Sequence, residues 1–340
     1  MKKTLFAALA LAFVASCSNE EVVEMAQKEA ISFENAFVNN STRSVNDPSY
    51  TNTKLFKDFK VYGYVDKSSL WPAGEKVTGS ELNKEWGYTN TQYWINGASY
   101  VFHALAPEMA ATTNTSTGLT LNFTNTDGKS DVLYATATAT GAASGNLPVK
   151  FDFKHILSKV KFSFENAYNS ANASIKVKEI KIHNAYKTGT ASLSSTGISW
   201  NTQTGTTESP LNFGIATDKE GTEAKEDTDD KFAFGITRES QEELLIIPGA
   251  AAATTEGEET KEGYKVTFTV ELYVGNDMIK SYDHTVYANF TPEASNSYDI
   301  KAVIDHTNID PEDPNGQEPI QFTVTNITGW EEKNVADILK

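Results

Sequence analysis

The sequence predicts an all-β protein of two β-sandwiches in tandem, and three observations carry that reading. Almost every periodic segment after residue 28 alternates apolar and polar side chains with period two, as strands with one buried face do. These segments are short, rich in Val, Ile, Phe, Tyr and Thr, and bounded by clusters of Gly, Asn, Asp and Pro. Beyond the N-terminal apolar run, nothing holds a helical period for three turns. About fifteen such strands spread over roughly 300 residues suit two sandwiches, and 340 residues are enough for two domains of ordinary size.

The elements follow in order. Lys2 and Lys3 precede an apolar run, Leu5 to Ala15, too short to span a bilayer and placed like the apolar core of a secretory signal. It ends in Val14-Ala15-Ser16-Cys17, which resembles a bacterial lipobox. There the thiol is acylated and becomes the first residue of the mature protein. Residues 1–16 are then the signal peptide and 17–28 a lipidated tether. Acyl chains contribute ~0.8 kcal/mol per buried CH₂, so several of them anchor durably. Cys17 is the only cysteine, so no disulfide within the chain stabilises the exported protein.

The first strand, about 30–38, presents Ile31, Phe33 and Phe37 at even spacing. A polar run, Asn39–Thr42, leads to Arg43 and Ser44, and the only other arginine is Arg238. Further alternating segments lie at 59–65, 99–106, 119–123 and 150–153, then at 159–164, 175–182, 243–248 and 264–274. A small-residue stretch ending at Pro148 marks the expected boundary, giving one sandwich over 29–149 and a second over 150–340. The acidic segment 217–231 reads as an exposed insertion. The segment 305–319, with three prolines, sets the last strand-like piece, 321–327, apart from everything before it.

The formal charge of −16, or −18 once Lys2 and Lys3 are removed, argues against a nucleic-acid partner, because nothing offsets phosphate repulsion. Chemistry is equally hard to find. The five histidines are scattered, with no metalloprotease pair. There is no Gly-x-Ser-x-Gly elbow and no glycine-rich loop leading from strand to helix. His155 lies in a strand-like run and reads as a buried structural residue. Asp310, Glu312, Asp313, Asn315 and Gly316 loosely evoke a calcium loop, but Pro311 and Pro314 interrupt it. Gln321 also stands where a bidentate Glu is required. No metal, no cofactor and no enzymatic activity are expected. Trp71, Trp86 and Trp94, with Tyr88 and Tyr93, form either a sugar-stacking platform or sandwich core.

An ordered series of short blocks carries a resemblance over nearly the whole length. It comprises the lipobox at Cys17, "ISF" (31–33) with "TRS" (42–44), "FKVYGYV" (59–65), "WGYTNTQYW" (86–94) and "YVFHALAP" (100–107). "DVLYATA" (131–137), "VKFDFKHILSKVKFSF" (149–164), "LLIIPG" (244–249), "FTPEASNSYDIKAVI" (290–304) and "ITGW" (327–330) complete it. In these blocks the chain resembles the fimbrillin family, lipoprotein subunits of the type V pili of Bacteroidales-type bacteria. "SNEE" after Cys17 likewise resembles the surface-export signal of such lipoproteins. The resemblance implies two transthyretin-like β-sandwich domains and attachment to the outer membrane through lipid on Cys17. It further implies a cut by an arginine-specific surface protease between Arg43 and Ser44, then strand exchange with other fimbrial subunits. The strand given up is about Ala30 to Val38. The candidate donor is the C-terminal segment with Phe322, Val324, Ile327 and Trp330, unless that segment completes its own sandwich. Arg238 must then be protected by burial or structure. The alternative is a glycan-binding surface lipoprotein of a polysaccharide-uptake system, using the Trp71–Trp94 aromatics.

Elementary energetics make strand removal coherent. Burying Ile31, Phe33 and Phe37 contributes ~1.5–3 kcal/mol each, roughly 5–9 together, which is comparable with the ~5–15 kcal/mol stability of a whole domain. Removing such a strand opens an apolar groove with unpaired backbone on both sides. A neighbour's strand can fill it by β-augmentation, and a slip of one residue would turn every apolar side chain outward.

Overall fold

A computed structural model of the chain describes residues 28–38, 58–80, 85–206, 210–218, 230–256, 258–312 and 318–327. Among the described residues there is no helix, and the all-β expectation holds. The first ten strands are β1 (Phe33–Val38), β2 (Asp58–Val65), β3 (Ser68–Ser69), β4 (Glu75–Ser80), β5 (Glu85–Gly87), β6 (Ser99–Ala106), β7 (Thr113–Thr115), β8 (Gly118–Thr124), β9 (Leu133–Thr140) and β10 (Val149–His155). Eight of them form one sheet in the order β3-β2-β4-β5-β1-β10-β9-β6, and β2 also pairs with β6. That extra pairing closes the sheet into a barrel, and β1 is an interior member with a neighbour on each side. Closure removes the sheet edges that would otherwise invite aggregation.

The alternation read from the sequence is visible in β10, where Val149, Phe151, Phe153 and His155 are buried while Lys150, Asp152 and Lys154 are exposed. The barrel interior is filled by Phe59, Val61, Phe102, Ala104, Phe151 and Phe153. Strand β6 is buried on both faces, because Leu105 points outward into a second core with Tyr62, Leu119, Leu121 and Leu193.

The remaining strands are β11 (Ser158–Asn166), β12 (Ala173–Ile182), β13 (Tyr186–Ser194), β14 (Gly197–Thr206), β15 (Leu211–Gly214), β16 (Ala216–Thr217), β17 (Phe232–Ala233), β18 (Thr237–Ser240), β19 (Leu244–Ile246), β20 (Thr254–Glu256), β21 (Glu259–Lys261), β22 (Tyr264–Val274), β23 (Asp277–Ala288), β24 (Ser297–Ile304) and β25 (Phe322–Ile327). Two sheets, β16-β18-β11-β24-β25 and β15-β12-β22-β23, enclose a third core. Phe162, Phe164 and Ile300 line one side of it, and Ile175, Val266 and Phe268 the other. The hairpin β13–β14 joins neither of these sheets. It pairs with β8 from the first half of the chain, in the order β14-β13-β8-β7, and covers the second core.

Candidate functional site

The sequence singled out the first strand, and the structure holds that strand from both sides. β1 runs parallel to β10, with Phe33 opposite Val149 and Val38 opposite Phe153, and antiparallel to β5 at Phe33 and Trp86. The residues before it are clamped as well. The Ile31 N–H donates to Gln92 O at 2.8 Å, and the Trp94 N–H to Glu29 O at 2.9 Å. On the other side the Val149 N–H donates to Ser32 O at 2.8 Å. Tyr88 Oη donates to Ile31 O at 2.6 Å. At the start of the segment the Glu29 carboxylate accepts from both the backbone N–H and the side-chain amide of Asn146. Those hydrogen bonds hold the Glu29 carboxyl below its ordinary value.

Burial follows the predicted face. Ile31 is 1% exposed and Phe33 5%, and together they contribute ~3–6 kcal/mol to holding the segment in place. Phe33 sits at the centre of an aromatic cluster, stacked on Phe151 at 5.9 Å and edge-on to Phe59, Tyr88 and Phe102 at 5.5–6.1 Å. Such geometries add ~0.5–1.5 kcal/mol per pair beyond area burial. The β1–β10 register shifts between Glu34 and Phe37. The backbone of Phe37 is described within β1, but its side chain lies outside the described residues, as do Cys17, Arg43, Ser44 and Trp330.

Arg238 is placed in β18, between β11 and β16 in the sheet order, with Phe164 opposite it. Its neighbour Glu239 faces Ser163 on one side and Thr217 on the other. Arg238 Nη1 also pairs with Asp218 Oδ2 at 2.5 Å. A protease needs an extended, unpaired segment, and the bond after Arg238 is locked in a ladder on both sides.

The described part of the C-terminal segment pairs within the chain. β25 pairs antiparallel with β24, Phe322 opposite Ala302 and Val324 opposite Ile300. Phe322 and Val324 are half-buried against the third core, and the Phe322 ring lies 5.9 Å from both Phe162 and Phe268. Ile327 ends the strand opposite Ser297.

The possible sugar platform is corrected. Trp71 and Trp94 are buried in the barrel core, and Trp71 Nε1 donates to Asn90 O at 2.8 Å. These rings pack on Tyr88, Tyr100 and Phe102 rather than facing solvent. Trp86 is half-buried and packs 5.1 Å from Phe59, leaving only Tyr93 of the five exposed. His155, read as structural, is fully buried, its Nδ1 2.5 Å from Asp131 Oδ2.

Sequence reasoning missed the supports of the clamp. Glu75 is buried and accepts from the backbone N–H groups of Thr89 and Asn90 and from the Asn90 side chain. It thereby fixes the loop whose Asn90 holds Trp71 and whose Gln92 holds Ile31. One acidic residue among 45 Asp+Glu carries no mark of such a role.

A profile of the fimbrillin-like family matches residues 42–330. Comparison with curated proteins returns no match. Among solved structures, a candidate cell adhesion protein from Bacteroides ovatus is 17% identical with a TM-score of 0.50, covering 91% of this chain and 99% of its own. One from Bacteroides uniformis is 14% identical with a TM-score of 0.47, over 90% and 99%. The fimbrial anchor protein Mfa2 from Porphyromonas gingivalis is 12% identical with a TM-score of 0.37, over 89% and 99%. At such identities the first of these speaks to the fold alone. The family match spans far more than half of the 340 residues, and the chain belongs to the fimbrillin-like family.

Proposed function

We propose that this protein is a non-enzymatic cell-surface fimbrial subunit whose first strand is a removable plug. Family membership supports the fimbrial role, the surface location and other fimbrial components as partners. In this reading the chain is exported as a lipoprotein acylated at Cys17 and reaches the outer membrane. It is then cut after Arg43 by an arginine-specific protease. Residues 17–43 depart, taking Ile31 and Phe33 with them, and a strand from another subunit fills the groove.

The observation that carries this reading is the burial of Ile31 and Phe33 in an interior strand. Their departure would uncover Phe59, Phe102 and Phe151 and strip the Val149 and Trp94 N–H groups of their partners. A buried polar group left unpaired costs ~1–3 kcal/mol, so the emptied groove strongly favours refilling. The incoming strand needs apolar side chains that alternate into the positions of Ile31 and Phe33. The pairing of β25 with β24 favours a terminal subunit, tip or anchor, which needs a groove but no donor. For a stalk subunit, the segment carrying Phe322, Val324, Ile327 and Trp330 would have to peel away.

The test is Arg43→Ala in cells. The expected outcome is a surface-exposed chain that yields no polymer. Assembly equal to that of the parent would show the processing step to be wrong.

A further inference from the structure

A cleft of about 970 Å³ lies where the barrel, the β13–β14 hairpin and the second sandwich meet, and its Asp152 stands in register with Phe37 of β1. The barrel contributes Asp152 and Lys154 from the outward face of β10, and the hairpin contributes Tyr186, Trp200 and Gln203. The second sandwich closes it with the turns at Pro248–Gly249 and Pro292–Ser295.

The walls are fixed in advance. Trp200 Nε1 donates to Ile156 O at 2.7 Å, and its six-membered ring crosses Gly189 so closely that a Cβ there would sit 2.9 Å from it. Gln203 donates to Pro248 O, and its amide comes within 2.7 Å of where a Cβ on Gly249 would lie. Ser158 Oγ donates to Glu293 O at 2.6 Å and Ser295 Oγ to His155 O at 2.5 Å, tying the closing turn to the strands beneath. Both glycines are therefore spaces that let a cleft side chain lie down.

We propose that this cleft binds a neutral saccharide. A preformed cavity of this size suits a small ligand. The half-buried Trp200 and Tyr186 offer apolar ring surface, while exposed Asp152 and Glu293 and the hydroxyls of Ser194, Ser195 and Thr196 offer hydrogen bonds. Hydroxyl groups donating to a carboxylate form the stronger, charge-assisted kind of bond. Lys154 is outnumbered by the two carboxylates, which disfavours a phosphate or sulfate ligand, and the polar lining disfavours a lipid chain. Cutting after Arg43 is not required, so the two proposals stand or fall separately.

The test is an array of neutral, sialylated and sulfated oligosaccharides probed with the full chain, followed by titration calorimetry on the neutral sugar bound best. Asp152→Ala and Glu293→Ala change exposed residues. Each is expected to weaken binding about tenfold or more with an unchanged melting temperature, and Arg43→Ala is expected to bind like the parent. The proposal is overturned by an array without neutral binding, by binding confined to sialylated or sulfated sugars, or by neutral binding unaffected in both cleft variants.

Discussion

Phe33 touches Phe59, Trp71, Tyr88, Phe102 and Phe151 through its single ring, so truncating it empties the centre of the barrel. Phe33→Ala should cost ~3–5 kcal/mol, read as a shift in the midpoint of chemical denaturation at unchanged slope. A loss below about 1 kcal/mol, within the ordinary scatter of surface changes, would mean the ring is not wedged there. Glu75 gives a pH-dependent counterpart. Burial works to raise its carboxyl, but the Asn90 side chain, the backbone N–H groups of Asn90 and Thr89 and the charge of Lys60 outweigh it. The group is held below 4.5. Since the folded state lowers this value, the contribution is present above 4.5 and is lost as pH falls through the folded value. Melting temperature should therefore drop on acidification below 4.5, and Glu75→Gln should flatten that part of the profile while lowering stability at neutral pH. An identical acid limb in the variant would contradict the assignment. Phe33 was legible in the sequence because alternation marks its face. Glu75 was not, because its partners Thr89 and Asn90 come from the loop after β5, which the pairing of β4 with β5 brings near and no residue pattern marks.

At the scale of elements, strands were easier to read than partnerships. Period two assigns a side chain to a face, but two strands of similar alternation offer equivalent edges. Nothing in "ISFENAFV" therefore announces that β1 lies parallel to β10, more than a hundred residues later. The aromatics at 71–94 were ambiguous for the same reason, since a ring that stacks on sugar and a ring that fills a core have the same sequence signature. Arg238 shows what pairing adds. As a residue type it matches Arg43, yet its carboxyl-side bond lies in β18 with a strand on either side. Limited digestion of the Arg43→Ala chain with an arginine-specific protease should leave the Arg238–Glu239 bond intact at doses that process the parent. Rapid cutting there would mean that β18 opens readily, and scarcity of arginine would then confer no selectivity.

At the scale of the molecule, the described residues form three cores. The middle one joins Tyr62 and Leu105 of the barrel to Leu193 of the β13–β14 hairpin and Leu245 beyond it. The junction expected at 149/150 falls within β10, which pairs with β1 and β9 in the barrel, so we propose that one unit passes to the next after His155, with that hairpin reaching back across it. The hairpin was illegible in the sequence because only its long-range pairing with β8 sets it apart. The larger claim concerns the opposite end of the chain, where a strand that completes the barrel is proposed to be expendable. It is tested most directly by the N-terminal peptide of subunits recovered from assembled fimbriae, identified by mass spectrometry. The account predicts Ser44 as the first residue; polymer whose subunits begin at acylated Cys17, with Ile31 and Phe33 still covalently attached, would contradict it.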